Sequence, residues 1–185
     1  NTVFNSNFCT FDIERYLTVF DYWKICDIAS CVPYDQIIIL VNSDRYGGGG
    51  IYNFYSICTS NHKASFDVFV HEFGHAFAGL GDEYYTSDVT YENFYDTEHE
   101  PWEPNLTTMK NFERKWKDMV QKGIPVPTPN DEKYSEIVGA FEGGGYVPEG
   151  IYRPQLNCRM KDNSANDFCK VCQRAIERMI SLQTE

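Results

Sequence analysis

Basic residues are in short supply. Lys and Arg together number 16 against 27 Asp and Glu, a formal net charge of −11. A surface that acidic repels a phosphate backbone, so nucleic acid is excluded as an expected partner. It suits solubility and cations, with structural Ca2+ as one candidate. Long apolar runs are missing too. The longest purely aliphatic stretch is Ile37 to Val41, far short of the roughly 20 residues a membrane-spanning helix needs. Residues 1–7 (NTVFNSN) have no basic and no hydrophobic region, so no signal peptide is expected there. There is no internal repeat and no low-complexity linker. The glycines at 47–50 are not followed by G-K-[ST] or by a helical pattern, which excludes a phosphate loop.

What is present is a core-forming composition. The chain has 13 Tyr, 13 Phe and 3 Trp in 185 residues, enough for a sizeable core and too many for a disordered segment. The length suits a single domain, with residues 1–31 readable as an N-terminal extension. Seven cysteines (9, 26, 31, 58, 158, 169 and 172) are many for a cytosolic protein. They point to a secreted, periplasmic or cell-surface setting with disulfides. An odd number leaves at least one thiol free or paired outside the chain. Cys169-x-x-Cys172 has no second C-x-x-C and lies in or beside a helical pattern. Its expected role is structural, as a disulfide or buried thiols, ahead of a redox pair or half a zinc site.

The pattern of elements is legible in outline. Gln36 to Asn42 predicts a buried strand, the glycines at 47–50 a turn, and Ile51 to Cys58 a second strand. Phe66 to Leu80 is apolar on nearly every side and predicts a central buried helix, with Ser65 as its N-cap and Asp67 in its first turn. Tyr84 to Leu106 predicts loop, Phe112 to Gln121 a helix, and Gly123 to Pro129 an extended connector. From about Asp167 to Leu182 the apolar residues recur at helical spacing, predicting a terminal amphipathic helix.

The segment that carries chemistry is VHEFGHAFAGLGDEYY, residues 70–85. His71-Glu72-Phe73-Gly74-His75 is an H-E-x-x-H motif. Positions i and i+4 share one helix face, so both imidazoles can reach one metal ion. Glu72 lies about 100° round the helix from His71, within reach of a metal-held water but not of the metal itself. That places it as general base, with Zn2+ as the expected cofactor. Two histidines one turn apart on an apolar helix are otherwise costly to bury.

The third ligand is less direct. Metzincin zinc proteases continue the motif as H-x-x-G-x-x-H, where the glycine turns the chain back to the metal. Here Ala78 and Gly81 occupy those positions, and Gly79-Leu80-Gly81-Asp82 repeats the G-x-x-ligand half one residue later. Asp82 then falls at the third ligand position, and a carboxylate oxygen is an accepted zinc ligand. Glu83, His62 and His99 compete with it. A glutamate from a later segment, Glu98, Glu100, Glu103 or Glu113, is the second-ranked plan.

HEFGHAFAGLGDEY, with PYDQIIILVNSDRYGGGGIYNFYSICTS before it and GIYRPQLNCRM and FCKVC after it, resembles the bacterial IgA peptidase family of metzincin-like zinc metallopeptidases. The resemblance runs from about Val32 to the C-terminal helix. It implies that His71, His75 and Asp82 are zinc ligands, that Glu72 is the general base, and that Met160 is the methionine of a tight turn beneath the metal. It also implies an upper-rim strand, Ile51 to Ser56, against which an extended substrate pairs. The tyrosine that metzincins often place two residues after the turn methionine is Asp162 here. Tyr152, Tyr84 and Arg153 are the candidate replacements as transition-state donor.

The expected fold is therefore α/β (α+β), a metzincin-like domain with a mixed sheet, a central active-site helix and a C-terminal helix. The expected function is zinc-dependent hydrolysis of peptide bonds in extracellular proteins, host immunoglobulin-like proteins among them, by a monomer that binds no nucleic acid and does not span a membrane. Two other classes compete: a zinc amidase acting on cell-wall peptides, and a non-catalytic protease-like binding or adhesion module. An intact Glu72 argues against the last.

Overall fold

The computed structural model describes residues 3–85 and 94–184. The fold is α+β, with three α-helices and two small sheets among the described residues. No helix among the described residues is long and apolar enough to cross a membrane. The chain divides into two compact units, residues 1–78 and 79–185.

The first unit is built on a three-stranded mixed sheet of order β1-β3-β2. Strand β1 (Ile37–Val41) runs parallel to β3 (Tyr55–Thr59), and β2 (Gly48–Ile51) runs antiparallel to β3. All five residues of β3 are buried, because the strand is central. The buried strand expected at 36–42 is instead the edge strand β1. Its residues alternate, with Ile39 in the core while Ile38 and Leu40 face solvent. An unbroken aliphatic run does not distinguish a two-sided strand from an alternating one.

The glycines also depart from expectation: Gly48, Gly49 and Gly50 form β2 rather than a turn, and the chain reverses after Ile51. The reason is close approach. A Cβ on Gly50 would lie 2.4 Å from the Glu72 carbonyl oxygen and 2.8 Å from His75 Cβ. One on Gly48 would lie 2.5 Å from Val68 Cγ1 and 2.9 Å from Glu72 Oε1. Only glycine lets this strand sit directly against the helix that carries those residues.

That helix, α2 (Ser65–Ala78), buries Val68, His71, Gly74, Ala76, Phe77 and Ala78. Ser65 opens it but does not cap it, since its buried hydroxyl has no hydrogen-bond partner. A shorter helix, α1 (Tyr22–Ala29), starts at Asp21, whose side chain accepts from the Lys24 N–H at 3.1 Å. The core of this unit gathers Leu17, Val19, Ile25, Ile39, Tyr55 and Ile57. The Tyr55 hydroxyl accepts from the Val19 N–H at 3.2 Å, which satisfies a buried polar group.

The second unit begins at Gly79, whose φ of +62° is left-handed and stops helical propagation. It contains the antiparallel pair β4 (Phe141–Gly144) and β5 (Val147–Arg153). Its longest helix is α3 (Lys170–Thr184), the expected terminal helix, which buries Val171, Cys172 and Ala175 and leaves Ile180 and Leu182 near its end exposed. The helix expected over Phe112 to Gln121 is only two 3-10 turns, Phe112–Arg114 and Lys117–Met119. Trp116 lies between them, fully buried, with its indole N–H donating to the Gly139 carbonyl at 2.6 Å. That tertiary anchor overrides the local helical pattern. The predicted loop at 84–106 falls partly outside the described residues, and its described parts, 84–85 and 94–106, contain no helix or strand.

Candidate metal centre

Helix α2 presents the motif residues one turn apart, as their spacing requires. His71 and His75 turn their Nε2 atoms toward each other, 3.1 Å apart, with the rings nearly perpendicular at 81°. Two imidazole nitrogens on one zinc, each at about 2.0–2.1 Å in tetrahedral geometry, lie about 3.3 Å apart. The pair therefore fits a metal clip. His71 is buried and His75 half-buried. Glu72 is half-buried beside the glycine strand, where its carboxylate approaches Gly48.

Asp82 and Glu83 both lie in the second unit, and both are buried. Asp82 Oδ2 accepts a hydrogen bond from the Tyr146 hydroxyl at 2.6 Å. Burial, and then the nearby Asp82 charge, push the Tyr146 hydroxyl far above its ordinary value, so it stays a proton donor. Tyr146 was not among the sequence candidates. It stands 64 residues from Asp82, and no local pattern links the two.

Glu83 takes other partners. Its Oε1 accepts from Asn105 Nδ2 at 2.9 Å and from the Cys172 thiol at 3.3 Å, with Cys169 Sγ at 3.9 Å. Its backbone N–H donates to the Met160 carbonyl at 2.8 Å. Burial, followed by the charge on Cys158, pushes the Glu83 carboxyl well above the usual carboxylate range. Met160 is fully buried, as a packing methionine should be.

The remaining competitors are engaged elsewhere. His62 Nδ1 accepts from the Ala64 N–H at 3.1 Å, ahead of α2. His99 is exposed and pairs with Asp96. Glu98 pairs with Lys110 at 2.6 Å, and Glu113 pairs with Lys117. Glu100 accepts from Thr107 and Thr108, and Glu103 from Tyr95 at 2.8 Å. Of the donor candidates, Tyr152 bonds Glu142 at 3.3 Å, and the Tyr84 ring packs edge-on against Tyr146. Arg153 is buried, donating to the Glu142 and Gly143 carbonyls at 2.7 and 2.6 Å. Those bonds hold the β4–β5 hairpin and leave Arg153 a structural role.

A second group able to hold a metal brings together Glu83, Cys158, Cys169 and Cys172, whose donor atoms all lie within 4.8 Å of one another. The structure gives these cysteines as buried free thiols. Burial by itself would raise the Cys158 thiol, but hydrogen bonds from the Cys169 and Cys172 thiols hold it well below its ordinary value.

No curated protein matches the chain in sequence. The sequence model of the IgA peptidase M64 family matches it over residues 1–137 and 130–180. A match of that extent, on a chain whose central helix carries the H-E-x-x-H pair, means that the protein belongs to the IgA peptidase M64 family of metallopeptidases.

Proposed function

We propose that the chain is a zinc-dependent endopeptidase acting on extracellular proteins, with His71, His75 and Asp82 as zinc ligands and Glu72 as general base. The observation that carries this reading is the pair of facing imidazoles on α2, with Glu72 between them in sequence. The G-x-x-D spacing after the helix supports Asp82 over Glu83, and so does the separate set of partners that Glu83 has.

Zinc held there supplies a Lewis acid for the scissile carbonyl and lowers the pKa of water. The protein's own part is proton handling. The Glu72 carboxylate takes a proton from the attacking water and returns it to the leaving amine nitrogen. Tyr146 fixes the orientation of the Asp82 carboxylate by donating to its Oδ2. The segment Ile51 to Ser56, expected to pair with substrate, is not one strand: Ile51 ends the edge strand β2, residues 52–54 turn, and Tyr55 and Ser56 begin the central β3, so peptide pairing along it is withdrawn. An extracellular or periplasmic location belongs to the same proposal.

The decisive variant is Glu72→Gln, assayed for zinc content and for hydrolysis of a protein panel alongside cell-wall peptides. Zinc should stay near one equivalent at the helix site while turnover falls by about 10²–10⁴-fold. Wild-type turnover in that variant would refute the general-base assignment. Cleavage confined to cell-wall peptides would move the substrate class to amidase chemistry.

A further inference from the structure

The cysteines at 158, 169 and 172 have no part in peptide hydrolysis, yet they converge with Glu83 on one buried point of the second unit. Cys158 Sγ and Cys172 Sγ are 3.7 Å apart. Two thiolates on a tetrahedral zinc, each at about 2.3 Å, lie about 3.8 Å apart. A sulfur and a carboxylate oxygen on the same ion lie about 3.6 Å apart, and Glu83 Oε1 stands 3.3 Å from Cys172 Sγ and 3.9 Å from Cys169 Sγ.

The surroundings suit an anionic ligand set. Cys158 Sγ accepts from the backbone N–H of Cys169 at 3.2 Å and of Met160 at 3.4 Å. Such N–H donors orient and stabilise a thiolate. Asn105 holds Glu83 Oε1 from the other side, and Arg153, itself 1% exposed, acts on Glu83 with its charge. Glu83 is 0% exposed and its Oε2 has no hydrogen-bond partner, a costly arrangement for a carboxylate unless a cation meets it.

From this convergence we infer that Cys158, Cys169, Cys172 and Glu83 form a closed structural zinc site, distinct in ligands from the His71–His75 centre. Binding would release to solvent the protons that the three thiols and the Glu83 carboxyl still carry, and leave no open position for water. The ion would tie the Asp82–Glu83 segment to the 158–172 loop and to the start of α3. In the extracellular or periplasmic location proposed above, it would also explain how close-set cysteines persist without a disulfide.

The test begins on wild-type protein purified without chelator. X-ray absorption at the zinc edge should show sulfur at about 2.3 Å, and alkylation with non-reducing peptide mapping should find no disulfide among the three cysteines. A disulfide between any two of them, or a zinc shell of nitrogen and oxygen alone, would overturn the site. The His71→Ala/His75→Ala double variant should then retain one zinc per chain with that sulfur shell, so loss of the catalytic metal and loss of this site read out separately. Loss of all zinc in that variant, with the fold intact by circular dichroism, would also overturn it. Cys169→Ser in the same background should reduce the remaining zinc well below one equivalent. Full retention would remove Cys169 from the ligand set.

Discussion

The Tyr146 hydroxyl lies 2.6 Å from Asp82 Oδ2, joining the turn of the β4–β5 hairpin to the residue that follows the glycine turn. In the proposed site, a donor held this close to Asp82 sets the orientation of its carboxylate. Tyr146→Phe removes the donor and keeps the ring. Zinc affinity at the helix site should fall by about 10–100-fold, measured by competition with a chromophoric chelator. Unchanged affinity would reduce Tyr146 to a packing residue.

Gly50→Ala should be damaging out of proportion to one methyl group. The new Cβ meets the Glu72 main-chain oxygen at 2.4 Å and His75 Cβ at 2.8 Å, and neither can swing away. Overpacking of this kind costs about 1–3 kcal/mol. A lower urea midpoint together with reduced kcat/KM is the expected pair of results, because the helix segment displaced is the one bearing Glu72. Normal values for both would mean that strand and helix are further apart than the structure has them.

Met160→Ala should weaken the fold more than the chemistry. The side chain is fully buried, and the main-chain bonds of Met160 to Glu83 and Cys158 survive the change. Truncating a buried methionine costs about 2–5 kcal/mol. A marked fall in Tm is expected, with kcat/KM in the cold within about tenfold, a barrier change of at most ~1.4 kcal/mol. Collapse of activity at unchanged Tm would instead place Met160 in the chemistry.

An acid-limb effect should come from α3. Arg174 Nη1 donates to Asp118 Oδ2 at 2.6 Å, and that hydrogen bond holds the Asp118 carboxyl below its ordinary range. A carboxyl lowered on folding stabilises above its unfolded value, near about 3.9, and the contribution is lost as pH falls through the lower folded value. Asp118→Asn should therefore destabilise slightly at neutral pH and not at all at the acid extreme. The pair is exposed on the aspartate side, so the effect stays under about 1 kcal/mol and shrinks in salt. Denaturant titrations at several pH values check the sign.

The H-E-x-x-H motif is legible because its histidines are four apart on one helix, where spacing alone sets the geometry. The terminal helix was legible for the same reason. The thiol cluster was not: Glu83 and Cys172 are 89 residues apart, and only the folded second unit brings them together. The C-x-x-C pair reads first as a disulfide or buried thiols, and the residues that meet it, Cys158 and Glu83, carry no spacing signature. The glycine run was read by its turn propensity, and tertiary packing decided otherwise. Strand β1 was read as buried because hydropathy cannot say which side of a strand meets solvent.

A strand whose first three residues are glycine has a further consequence for how such an enzyme can diversify. Positions 48 and 50 offer the helix nothing but main chain, and a Cβ at either collides with it, while one at position 49 would meet the Leu17 carbonyl oxygen at 2.4 Å. This face is therefore closed to the side-chain swaps by which related enzymes usually change their preference. Any new selectivity has to be written in segments that still have atoms to exchange, which leaves the glycine strand as a fixed floor beneath a changing set of walls.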